Sequence, residues 1–154
     1  MEGSRTTLDD FSRRLAISSI RCGHAAILCD YPSTEAAPNL AVERMMGLRP
    51  YFIQVDAKQI IGWRKADGSP IAPISQIRIN EYVSEPLGEF ADEIVRQIRV
   101  LEPGRWRVYR RGTNDKGWIL HQEGTTSMEV IPLAVTYSGK VAELISKPPL
   151  LPIA

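Results

Sequence analysis

The densest chemistry in this sequence is a run of arginines interleaved with aromatic residues. Residues 93–117 hold Arg96, Arg99, Arg105, Arg107, Arg110, Arg111 and Lys116 against Glu93, Glu102 and Asp115. That is a local charge of +4 in a chain whose net charge is +1. A planar guanidinium donates two parallel hydrogen bonds to a carboxylate or a phosphate. Trp106 and Tyr109 lie in the same stretch and Trp118 directly follows it, and aromatic rings among basic residues can stack on bases. Two chemistries therefore compete for the arginines at positions 96, 99, 105, 107, 110 and 111. One is contact with nucleic acid; the other is Arg–carboxylate pairing on an exposed sheet face or at a subunit interface. The patch is modest beside the domain-wide basicity of dedicated nucleic-acid binders, which favours the second.

Other reactive side chains form weaker patterns. Glu81, Glu85, Glu89, Asp92 and Glu93 precede the arginines. Their oxygens could hold a divalent cation, but a charge run more often forms a solvated connector or supplies partners for arginines. Asp30 closes an apolar run, where an α/β enzyme often places a catalytic carboxylate. No glycine-rich phosphate loop, serine elbow or partner base accompanies it, so Asp30 reads as a turn residue. Cys22 and Cys29 are separated by six intervening residues, and the histidines are His24 and His121. This spacing is no zinc pattern, and both cysteines read as core residues. No catalytic residue, metal or cofactor is expected.

Several short elements must position these groups. Residues 93–137 read as four strands joined by turns at Pro103-Gly104, at 112–117 and at 123–126. Folding back at Pro103-Gly104 pairs Leu101 with Trp106, Ile98 with Tyr109 and Arg96 with Arg111. Upstream, Thr7 caps a helix with Asp10 three residues on, and Gly23 ends it. Residues 24–31 read as a buried strand, 32–38 as a loop and 39–47 as a short helix. Strands follow at 51–55 and around 60–64, then a turn at 67–70. Residues 74–83 alternate as a half-buried strand, and 87–92 read as a polar connector. After Tyr137 come a turn at 138–140, a short element at 141–145 and a Pro-rich tail over 146–154.

Composition bounds the class. At 154 residues, with 44% hydrophobic and 24% charged residues, the chain suits one globular domain. Eleven prolines and eleven glycines imply many short elements rather than a helical bundle. No apolar run is long enough to span a membrane, and no secretory leader is expected. The expected fold class is α+β: an N-terminal helix and strand, a short helix, then a mostly antiparallel β meander.

The order of several phrases carries a resemblance. Residues 23–32 (GHAAILCDYP), 47–51 (GLRPY), 60–64 (IIGWR), 78–81 (RINE), 97–110, 131–137 (IPLAVTY) and 148–151 (PPLL) resemble, in this order, a tailed-phage and prophage family catalogued as a domain of unknown function and similar to portal proteins. The likeness runs from about residue 8 to residue 151, and no phrase in it is catalytic. It implies a wing-like α+β region of a portal-like subunit. The family it resembles has longer chains at both ends, so the resemblance implies an internal fragment.

The resemblance implies a virion structural protein rather than an enzyme. Its partners would be further copies of the full-length subunit in a ring at the capsid vertex, with capsid and terminase proteins and DNA as further partners and no membrane. It would reside in the virion, and in the bacterial cytoplasm when expressed. The acidic block 81–93 and the basic block 96–111 would then meet across neighbouring subunits. The alternative is a small nucleic-acid-binding module using the basic meander. A hydrolase resting on Asp30 ranks last.

Overall fold

A computed structural model describes residues 7–30, 50–69, 71–112 and 117–149. The loop and short helix expected over 32–47, the centre of the turn at 112–117 and the tail from 150 on lie outside these residues. The described fold is α+β, with one α-helix and mostly antiparallel sheets.

The helix α1 (Leu8–Cys22) begins where its cap predicts. Thr7 is extended, and its hydroxyl accepts from the Asp10 backbone N–H at 3.2 Å while donating to the Asp10 carboxylate at 2.8 Å. Asp9 and Asp10 sit in the first turn, where the free N–H groups favour negative charge. Gly23 ends the helix with φ at 87°, a left-handed conformation that costs glycine little. Cys22 is exposed and Cys29 half-buried. The core reading of Cys22 is therefore corrected: it is the last residue of the helix and is exposed there.

The chain divides into two compact units. One contains the chain up to Ala57 together with the chain from Pro132 on; the other is Lys58–Ile131. The first unit holds β1 (His24–Asp30), β2 (Tyr51–Asp56) and β8 (Leu133–Tyr137) in the antiparallel order β2-β1-β8. The central strand β1 is covered on both faces, which explains its unbroken apolar run. Ala25 and Ala26 are fully buried and Leu28 nearly so. The helix packs on this sheet: the rings of Phe11 and Phe52 lie 6.5 Å apart, and the Ser18 hydroxyl donates to Asp56 at 2.5 Å. A small hairpin, β9 (Lys140–Ala142) with β10 (Ile145–Ser146), completes the unit.

The second unit is a five-stranded antiparallel sheet in sequence order. Its strands are β3 (Ile60–Lys65), β4 (Ile74–Leu87), β5 (Ala91–Glu102), β6 (Arg105–Arg111) and β7 (Trp118–Thr125). The expected register is present, with Leu101 opposite Trp106 and Ile98 opposite Tyr109. The paired residues end at Gln97 and Arg110, one step short of Arg96 and Arg111.

Two expectations need correction. Residues 87–92 are not a connector: β4 continues to Leu87, β5 starts at Ala91, and Gly88 turns the chain with φ at 73°. Charged and apolar residues are mixed at this end, with Leu87 and Phe90 exposed at the turn, so the hydrophobic alternation that marks a strand is missing. The strand expected last in the meander, β8, instead leaves this sheet and pairs with β1. Sequence adjacency favoured the meander, but the apolar edge of β1 needed a partner.

Candidate interface on the arginine-bearing sheet

Residues directly opposite one another in a sheet share a face, so the register sorts the candidate arginines. Arg99 and Arg110 lie on one face with Ile77, Ile79, Leu101 and Val108. Those four apolar side chains are buried. Arg96, Arg105, Arg107 and Arg111 lie on the opposite face. What looked in the sequence like one basic patch is therefore two sets, separated by the thickness of the sheet.

On the apolar face, the arginines enter a network with the preceding acidic residues. Glu81 accepts from Gln97 Nε2 at 2.9 Å. Arg99 Nε lies 2.9 Å from Glu81 Oε1, an ion pair in which the N–H is not aimed at the oxygen. Arg110 reaches across β5 to hold both oxygens of Glu85, at 3.0 and 2.6 Å, and also donates to Gln97 Oε1. The Arg110 guanidinium, chiefly through this hydrogen bond, holds the Glu85 carboxyl below its ordinary pKa. Gln97 is buried and joins the two ion pairs. Glu81 and Glu85 thus find their arginines within the chain.

The opposite face is more basic. Arg107 pairs with Glu102 at 2.6 Å, and Glu102 also accepts from Gln76 at 2.7 Å. Arg105 pairs with Glu123, which raises the already high pKa of Arg105. Arg96 donates to Asn80 Oδ1 at 2.6 Å and stacks over Trp118, 5.5 Å from the ring centre. Arg111 is also engaged. Two further arginines belong to this face, Arg64 beside Gln76 and Arg78 beside Val100. The charge window that starts at residue 93 missed them. Period-two alternation carried back through β4 and β3 would have found them. Val100 is buried between Arg78 and Arg107, as expected where arginine stems lie along apolar surface.

The remaining candidates have ordinary surroundings. Asp30 lies opposite Tyr51, whose hydroxyl donates to it at 3.4 Å. His24 Nδ1 lies 2.6 Å from Ser146 Oγ, and burial lowers the His24 pKa from 6.5. Among the described residues, no group of three His, Cys, Asp or Glu could hold a metal ion. No described helix is long and apolar enough to cross a membrane.

The distal end of the sheet is different again. Tyr82, Ile94 and Trp118 are exposed on the arginine-bearing face, and Leu87 and Phe90 are exposed at the β4–β5 turn. Phe90 is 93% exposed. No protein-family model matches this chain, and no curated protein is significantly similar to it.

Proposed function

We propose that this chain is part of a phage or prophage virion structural protein, a portal-like subunit that assembles with copies of itself in the ring through which the genome is packaged. The observation that carries this reading is the exposed apolar tip of the β4–β5 hairpin, Tyr82, Leu87, Phe90 and Ile94. Apolar residues grouped on one exposed tip suit burial against another protein. The arginines at 99, 105, 107 and 110 already have carboxylate partners in the chain, which leaves less of the basic meander for a dedicated nucleic-acid module. The ordered phrases that resemble those of portal-like phage proteins favour the same reading. The subunit contact is thereby moved from the two charge blocks to the hairpin tip.

Sedimentation velocity of the full-length gene product tests this reading, with Phe90→Ser and Ile94→Glu introduced together. The wild-type protein is expected to form a large closed oligomer and the double variant to sediment as smaller species. A wild-type protein that stays monomeric at high concentration overturns the proposal. So does an oligomer that the double variant leaves intact.

A further inference from the structure

We propose that the β3–β4 end of the arginine-bearing face is a site for phosphate groups of single-stranded nucleic acid, held by Arg64 and Arg78. The site is independent of the assembly role proposed above.

Four observations converge on it. First, Arg64 and Arg78 differ from their neighbours: among the described residues neither guanidinium has an ion-pair or hydrogen-bond partner. The local carboxylates, Glu102 and Glu123, are taken by Arg107 and Arg105. Second, the Arg78 Nε is shielded from solvent without an acceptor, as are those of Arg99 and Arg107, whereas the Arg78 Nη groups are not shielded in this way and are the donors that face a ligand. Third, Arg78 is held in place. Its guanidinium lies over Gly62, where a Cβ would come within 2.7 Å of one Nη and 3.1 Å of Cζ. The missing side chain at position 62 forms a recess that fixes the group against the strand.

Fourth, the two arginines are diagonal neighbours. Gly62 faces Arg78 and Arg64 faces Gln76 on adjacent strands. Diagonal neighbours lie roughly 7–8 Å apart at the backbone, within reach for two long side chains to grip one oxyanion.

The surroundings favour a polynucleotide. Tyr109 and Trp118 stand on the same face, and a sheet that displays both cations and aromatic rings can bind a backbone while stacking its unpaired bases. A phosphate also brings charge to a face where Arg64, Arg78, Arg96, Arg105, Arg107 and Arg111 outnumber Asp92, Glu102 and Glu123.

Fluorescence anisotropy with a labelled oligothymidylate of about 10 nucleotides, a length within the usual range for such platforms, tests the site. Wild type is expected to bind at low salt. Arg64→Gln with Arg78→Gln should weaken binding at least tenfold and flatten the plot of log affinity against log salt by about 1.4, since each phosphate contact on a single strand contributes about 0.7. Gly62→Ala should also weaken binding with the charge unchanged, while Lys140→Gln in the other unit should not. Circular dichroism melts establish that each variant is folded.

The proposal is overturned if wild type does not bind, or if the double variant keeps the wild-type affinity and salt slope. It is also overturned if polyglutamate competes as well as oligothymidylate, which assigns the site to protein carboxylates. Displacement by inorganic phosphate at the same concentration as oligonucleotide phosphate would assign it to the free ion and reject the strand.

Discussion

Glu81 and Glu123 both meet arginines, but in different solvent. The Glu81 and Arg99 side chains are 15% and 20% exposed, whereas those of Glu123 and Arg105 are close to half exposed. Glu81→Ala removes the carboxylate that pairs with Arg99 and accepts from Gln97 Nε2 in a partly dry site, so it should cost about 1–3 kcal/mol. Glu123→Ala should cost clearly less, because solvent screens that pair. Urea denaturation of the two variants measures both, and equal losses would contradict the ranking. His24 adds a pH dependence. Burial lowers its pKa from 6.5, so the folded protein resists a proton that the unfolded chain accepts. Stability is therefore full above about pH 6.5 and falls as the pH drops from there toward the folded value. Glu85, whose pKa is lowered from 4.5, acts in a more acidic window: its contribution is present above 4.5 and lost as pH falls through the folded value. Thermal melts from pH 8 to pH 5 should show the first decline in wild type, and His24→Gln should flatten it.

At the scale of elements, the glycines that matter are those facing large side chains across a strand pair. Gly124 lies opposite Trp106, and a Cβ there would come within 2.7 Å of the indole ring. Indole and glycine form a lock that holds β6 and β7 in register, beside a bulge between Val108 and Tyr109. Gly124→Val should therefore destabilise the second unit by roughly 1–3 kcal/mol, as overpacking does. A chemical-denaturation midpoint equal to that of wild type would rule the lock out. In the first unit, β1 is hydrogen-bonded on both sides. Leu28→Ala removes a fully buried side chain and should cost about 2–5 kcal/mol. Much of the alternation in β4, β5 and β6 was legible, including the 98–109 and 101–106 pairs. The hairpin end at 87–92 was not, because its exposed apolar residues are mixed with charged ones and carry no periodic hydrophobic signal.

At the scale of the whole molecule, the two units differ in how far apart their paired residues lie. The strands of the second unit join neighbours in sequence, so most of its contacts are local. The first unit needs β1 to find β8, with His24 opposite Tyr137 and the second unit in between. Closing that long loop before any pairing is gained slows folding. Pulsed hydrogen exchange during refolding should protect the amides of β4, β5 and β6 before those of β1 and β8. Simultaneous protection of both sets would mean that the units fold as one.

By itself, the sequence determined what local chemistry controls: the Thr7 cap, the Gly23 stop, the turn at Pro103-Gly104 and the register that follows it, and the α+β class. Each depends on a few residues in succession and on backbone preferences that hold in any context. Tertiary structure alone decided that the arginines divide between two faces, that Glu81 and Glu85 neutralise two of them, and that Arg64 and Arg78 stand without such partners among the described residues. It alone placed β8 beside β1. Charge counted along a chain is blind to the sheet between alternate residues, and strand pairing depends on which apolar edge is left uncovered, a property of the folded chain rather than of any one segment.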